Sequence, residues 1–360
     1  MDKREFLTKP RIEPIKLREN MTVKELVENY ARSGVFNAGH LSEACRIYER
    51  MLQENATVCL TLSGAMTPTG MGGMIITMVE RGLIDFIIST GANLYHDLHF
   101  ALDLPVHQGD PHVDDRVLYR AGIERIYDVF ITDDLLRATD TFIQSILRDR
   151  KFDAPISTAE LHHIIGEAVL ARARYPEKSL LAQAAKYNVP VYCPSPGDSS
   201  IGMNTAVTKL LGSSLTVDPD LDVLETTAIV LNSELNGVIE VGGGASKNFY
   251  MQTQPMLWQI LNVNKGGHDY FVQVTTDAPH WGGLSGATPQ EAISWGKVNP
   301  NEVRNHVVVY CDATIAVPII FSYALDTVGR RRLRQLYLRR GEFLDALRKV
   351  CGSVEETSGH

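Results

Sequence analysis

The sequence lacks paired metal-ligand spacings: there is no CxxC and no HExxH, and the five cysteines (Cys45, Cys59, Cys193, Cys311, Cys351) are odd in number and far apart. A disulfide framework and a zinc ribbon are therefore not expected. Among the histidines, His96 and His99 would share a helix face but lack a third ligand, and His162-His163 fall in a helix-like segment, so no metal site is predicted. Three cysteines sit in the apolar runs ATVCLTL, VPVYCPS and VVVYCDA and read as small buried hydrophobes of a reducing compartment. Long apolar runs are also missing. No stretch approaches the ~20 residues of a membrane span, and MDKREFLTKPRIEP lacks the apolar core of a signal peptide. The expectation is a cytoplasmic protein with no membrane partner. Positive charge is in deficit, 35 Lys+Arg against 43 Asp+Glu for a formal −8. That argues against a broad nucleic-acid surface and suits solubility or a cationic small molecule.

What is present is a chain of 360 residues, enough for one large α/β domain. Residues 1–20 are polar and proline-bearing, as in an extended arm, and MTVKELVENYARSG and HLSEACRIYERMLQEN carry helical apolar spacing. After Asn55 strand candidates recur: ATVCLTL, LIDFIIST, VPVYCPS, TAIVLN, GVIEVGGG, YFVQVTT and HVVVYCDA, several followed by helix-like segments. Near-continuous Val/Ile runs alternating with helices predict a mainly parallel sheet covered on both faces. The expected organisation is an N-terminal arm and helices over 1–50, a catalytic domain over 51–350 and a tail over 351–360, with 114–153 as a helical excursion. Loops after the strands, SGAMTPTG, STGANLYH, CPSPGDSS, VGGGASKN, TTDAPHWGG and CDAT, are the places for a ligand.

Several motifs carry two readings. Gly70-Met71-Gly72-Gly73 resembles the start of a dinucleotide fingerprint, but Ile75 occupies its final glycine position, and a close-packed helix start explains it as well. Gly242-Gly243-Gly244 suits either close backbone approach to a ligand or a tight strand-to-helix turn. Asp198 and Asp312 follow strand candidates and suit helix capping or a ribose hydroxyl. In EAISWGKVNP, Lys297 follows Trp295 and Gly296. An ordinary lysine is neutral roughly once in 2,500 molecules at pH 7, and each unit of downward shift gains about tenfold. Burial beside Trp295 would expose a lone pair for attack on a carbonyl-like carbon; the alternative is a surface or ion-paired lysine.

EAISWGK followed by VVVYCDATIAVPII resembles the closing signature of the deoxyhypusine synthase family, and the likeness extends through GVIEVGGGASKN, VPVYCPSPGDSSIG, LIDFIISTGANLYHDL and FNAGHLSEA. The resemblance implies a Rossmann-like fold and a homotetramer with active sites at dimer interfaces. It further implies NAD-dependent oxidation of spermidine, with an aminobutyl imine passed to the active-site lysine. By position, Lys297 resembles that lysine, and Glu291 and Trp295 resemble substrate-site residues. Cofactor positions would be Gly64, Ala65, Met66, Ser89, Thr90, Gly91, Asp198, Gly243, Thr276, Asp312 and Ala313.

The family pattern also breaks. Its histidine after the GGGxxK lysine is Asn248; its two consecutive glutamates are Tyr95 and His96; two of its aspartates are Met203 and Leu284, the latter beside Gly282 and Gly283. Losing two hydrogen bonds to charged groups would cost about 3–6 kcal/mol unless replaced. Trp281, Trp295 and Tyr95 offer cation–π faces, Asp277 and Asp103 offer carboxylates, and His96, His280 or a second amine would have to act as base. These changes favour aminoalkyl transfer to a small amine, of homospermidine type. A protein-lysine acceptor and an NAD-binding protein without turnover are the alternatives.

Overall fold

The computed structural model describes residues 7–148 and 150–358. Its strands are β1 (Thr57–Leu62), β2 (Phe86–Ser89), β3 (His107–Gln108), β4 (Ile123–Ile126), β5 (Val129–Thr132), β6 (Val191–Tyr192), β7 (Asn236–Val241), β8 (Tyr270–Thr275) and β9 (His306–Tyr310). Six form one parallel sheet in the order β6-β2-β1-β7-β8-β9. Alternate residues along each strand enter two separate cores. Val58, Leu60, Ile239, Val272 and Val307 face the helices Phe36–Gln53, Gly72–Glu80 and Ala313–Thr327. Cys59, Phe86, Val238 and Phe271 face Pro219–Leu231, Gly244–Met251 and Arg340–Ser358. Burial on both faces is why the strands read as unbroken apolar runs.

Residues 7–20 are exposed and form no helix or strand, while residues 1–6 of the proposed arm lie outside the described residues. The helix Val23–Ser33 opens on a Thr22–Glu25 capping box and closes at Gly34 in the left-handed region. Cys45, Cys59 and Cys193 are buried, Cys311 is partly buried and Cys351 exposed; all are free thiols. The C-terminal helix runs through residue 350 without a break. No helix of the described residues is long and apolar enough to cross a membrane, and no group of three or more His, Cys, Asp or Glu among them could hold a metal ion.

Two segments differ from the reading above. TAIVLN is not a strand but the end of the helix Pro219–Leu231, which starts where Asp218 caps the amide of Asp220 ahead of Pro219. Ala228, Ile229 and Val230 are all buried there, and a helix buried on most sides has the same apolar texture as a buried strand. Residues 114–153 are not wholly helical either. They hold the hairpin β4–β5, turned at Tyr127 and Asp128, and β3 joins it in a small antiparallel sheet.

The C-terminal segment is tied down by Asp85. This carboxylate is 3 % exposed, accepts from the Val58 amide at 2.8 Å, and pairs with Arg331 at 2.9 Å and Arg334 at 3.4 Å. Burial pushes its carboxyl upward and the two guanidiniums pull it back. Replacing Asp85 with Ala leaves the part-buried Arg331 and Arg334 without their carboxylate, at a cost of about 3–5 kcal/mol. Chemical denaturation of D85A should show that loss, and an unchanged midpoint would contradict it.

Candidate active site

The strand order makes one crevice special. From β1 the chain winds outward through β2 and β6, and from β7 it winds the other way through β8 and β9. The loops after β1 and β7 touch where they leave the sheet, Ser63 Oγ donating to the Gly243 carbonyl at 2.7 Å, and lead to helices on opposite faces; the carboxyl edge at such a switch point is where open α/β sheets take their ligands. Every cofactor position inferred from sequence falls on this edge. Gly64, Ala65 and Met66 follow β1; Ser89, Thr90 and Gly91 end β2; Asp198 follows β6; Gly243 follows β7; Thr276 follows β8; Asp312 and Ala313 follow β9. Of the two aspartates, Asp312 caps the helix Ala313–Thr327 through the Thr314 amide at 2.7 Å. The other helix start is capped by Ser199 in place of Asp198.

Backbone geometry at this edge suits an anionic, extended ligand. The helices Gly91–Ala101 and Gly244–Met251 begin at Thr90 and Gly243 with no side-chain cap on their first-turn amides. A Cβ on Gly243 would lie 2.4 Å from the Ser285 Cα, so only glycine lets the two loops meet. Asn93, which the sequence reading passed over, cinches the neighbouring loops. Its Oδ1 accepts from the Met66 and Thr67 amides at 3.0 and 3.1 Å, and its Nδ2 donates to the Gly64 carbonyl at 2.7 Å and to Thr90 Oγ1 at 3.1 Å.

Lys297 lines a cavity of about 250 Å³ together with Lys247, Asn248, Leu284, Glu291 and Trp295. Its backbone is held by two bonds, its N–H to the Ala292 carbonyl at 3.0 Å and its carbonyl from the His268 amide at 2.9 Å. Gly296, at φ +62°, makes the turn that reverses the chain after the helix Pro289–Ser294, and a Cβ there would meet Trp258 Nε1 at 2.7 Å. The glycine of the WGK triplet is thus required twice over. Lys297 Nζ donates to Asn248 Oδ1 at 2.9 Å and stands 5.6 Å from the centre of the Trp295 ring. Burial lowers its pKa most, the Lys247 charge lowers it further, and Glu291 and Glu240 oppose both. The expected enclosure by Trp295 is not found. Trp295 is 59 % exposed and Lys297 only partly buried.

Not all predicted substrate residues join this cavity. Asn248, Leu284, Glu291 and Trp295 do; Tyr95, His96 and Met203 do not, and Gly282 and Gly283 precede Leu284 in the bordering loop. Tyr95 is buried, with its hydroxyl donating to Asp140 Oδ1 at 3.0 Å. His96 pairs with His99 at 2.9 Å, and Met203 is exposed on the helix Ser200–Leu210. Asp103 is occupied by Arg174 at 2.7 Å. His280 and Trp281 stand exposed on a short turn after β8, and Asp277 lies just ahead of them. The cavity instead contains a residue the sequence reading did not assign, Lys247, paired with Glu240 of β7 at 3.5 Å. A carboxylate inside the apolar run GVIEV was the available signal, since a buried acid calls for a cation nearby.

A parallel sheet in this strand order, with its ligand crevice at the switch point, places the molecule in the Rossmann-like class of doubly wound α/β proteins. More narrowly, the chain belongs to the deoxyhypusine synthase family, whose sequence model matches residues 25–324. A deoxyhypusine synthase-like protein of Cyanothece sp. is 45% identical over 356 residues, covering 94% of this chain and 88% of that one. The protein named "Probable deoxyhypusine synthase 2" of Methanosarcina acetivorans is 41% identical over 303 residues, covering 84% and 86%. A crystal structure of a deoxyhypusine synthase candidate from Entamoeba histolytica shares the fold, with a TM-score of 0.58 at 18% identity over 87% of this chain and 96% of that one.

The Asn93 bonds predict how the crevice responds to damage. Asn93→Ala should cost about 1–3 kcal/mol, the penalty for buried donors left unpaired. Amide exchange should quicken at Met66 and Thr67 and stay unchanged in β8; protection retained at both amides would show that Asn93 does not hold the loop.

Proposed function

We propose that the protein is an NAD-dependent transferase that moves an aminoalkyl group from a polyamine donor, through an imine on Lys297, to a small amine acceptor. The observation that carries this reading is the Lys297 amine itself, lowered in basicity and aimed by Asn248 into a small, mostly apolar cavity. Uncapped helix starts, the glycine at 243 and the switch-point position are the features that fit a dinucleotide, with Gly64, Ala65, Met66, Ser89, Thr90, Gly91, Asp198, Gly243, Thr276, Asp312 and Ala313 as its holders. When bound, NAD supplies the two-electron oxidation of the donor amine and its later reversal.

The chain's own residues account for the transfer. The neutral Lys297 nitrogen adds to the carbon of the donor-derived imine, forming the new C–N bond. A proton passes to the departing nitrogen, the old C–N bond breaks, and a diamine leaves with Lys297 holding the imine. The acceptor amine reverses these steps at the same carbon. Asn248 orients Nζ but takes up no proton at neutral pH, so the proton moves between the two exchanging nitrogens. Glu291 offers a carboxylate to the substrate's distal ammonium, and Trp295 offers its ring.

A protein lysine as acceptor is the second reading, favoured by the name of the Methanosarcina relative. The two part on where label from a donor polyamine ends, on a small molecule or on protein. Borohydride reduction with NAD and a panel of polyamines should add mass at Lys297 only when NAD is present. Lys297→Ala should abolish the adduct and lower turnover by at least about 10³-fold. No added mass at Lys297 with any amine would refute the imine.

A further inference from the structure

The cavity holds two lysines, and the reading above uses one. Lys247, on the helix Gly244–Met251, is 5 % exposed. Its Nζ donates to Gln273 Oε1 at 2.8 Å and to the Ala287 carbonyl at 2.7 Å, and stands 3.5 Å from Glu240 Oε2. Two hydrogen-bond acceptors thus hold the ammonium, and a buried carboxylate whose oxygens have no other hydrogen-bond partner stands at ion-pair distance. Such an amine cannot swing toward a substrate without abandoning all of them, so it is unsuited to be a second nucleophile. Nor does stability explain it, since a buried ion pair is often no better than an apolar pair of the same volume. What Lys247 contributes is a fixed charge.

The groups facing the Lys297 amine come from four elements. The helix Gly244–Met251 brings Lys247 and Asn248, the helix Pro289–Ser294 and its turn bring Glu291 and Trp295, β7 brings Glu240, and the segment before β8 brings His268. His268 is buried, with its pKa lowered to about 3, and stays uncharged through the neutral range. Burial raises Glu240 to about 7 against the pull of the Lys247 and Lys297 charges. Lys247 is therefore the one cation among the groups acting on Lys297, set against the carboxylates of Glu240 and Glu291.

We propose that Lys247 is a positioning residue for Lys297: a cation pinned by Gln273, Ala287 and Glu240, whose charge disfavours a second ammonium in the same cavity and so keeps the neighbouring amine nucleophilic. This rests on Lys297 acting as the amine nucleophile of the reading above. The sign follows from charge alone. Removing Lys247's charge favours the Lys297 ammonium, and removing Glu240's charge disfavours it.

The test uses the full chain with formaldehyde and cyanoborohydride as the probe, and neither NAD nor a polyamine, so its result is independent of whether transfer occurs. Methylation of Lys297, followed by peptide mass spectrometry and normalised to exposed Lys24, is measured from about pH 6 to 10. Lys247→Gln should move the half-maximal pH upward by about one unit, and Glu240→Gln should move it downward. Lys247→Arg, which keeps the charge, should stay near wild type. No shift in Lys247→Gln, or shifts of both neutral variants in the same direction, overturns the proposal. If circular dichroism shows Lys247→Gln unfolded, Glu240→Gln decides alone, and the absence of a downward shift overturns it. Opposite shifts together with failed borohydride trapping would leave the electrostatic device standing and remove the transfer reading.

Discussion

Gln273 is fully buried in β8, and its single amide joins three parts of the molecule. Nε2 donates to the Gly242 carbonyl and to the Ser285 carbonyl, each at 2.8 Å, while Oε1 accepts from Lys247 at 2.8 Å. It pairs in register with Glu240 on β7, so two buried polar side chains stand together near the carboxyl end of the sheet, on the face that carries Cys59, Val238 and Phe271. Inside a protein such groups are stabilised only when satisfied, and leaving one unpaired costs about 1–3 kcal/mol. That constraint fixes the loop after β7, the 282–287 loop and the buried lysine in one arrangement, and the Lys297 cavity takes its walls from it.

Around that network the site has two unlike halves. The switch-point crevice is built from backbone: glycines, loop amides and helix starts, with Asn93 holding the loops after β1 and β2. The amine cavity is built from side chains, with charges of both signs and an exposed indole at its rim. Backbone amides suit an anionic ligand whatever its exact shape, whereas a cavity of about 250 Å³ lined by two lysines and a glutamate selects by charge and size. Asn248 belongs to the second half. Standing where the family pattern has a histidine, it accepts a 2.9 Å hydrogen bond from Lys297 Nζ.

Much of this was legible in the residues. The parallel sheet followed from unbroken Val/Ile runs, and ligand loops follow such strands by the geometry of the fold, so the positions from Gly64 to Ala313 land on one edge. TAIVLN was misread because burial on every side erases the periodicity that separates helix from strand. The hairpin within 114–153 was missed because its half-exposed strands, IERI and VFIT, are short and lie among charged residues. Trp295 was expected to enclose the lysine, but which way an indole leaves a turn depends on what packs beneath it, here Trp258 against Gly296.

The sequence by itself determined the class of fold and the family signature, and singled out the lysine proposed for the chemistry, because each is written in local order: strand, loop, helix, and the WGK triplet on its turn. Tertiary structure alone decided which distant groups share a cavity. Lys247 and Lys297 are fifty residues apart, and only the packing of the helix Gly244–Met251 beside the turn after Pro289–Ser294 sets their charges against one another. It also separated Tyr95, His96 and Met203 from that cavity within one chain. Electrostatic influence depends on distance and burial, and neither can be read from spacing along the chain.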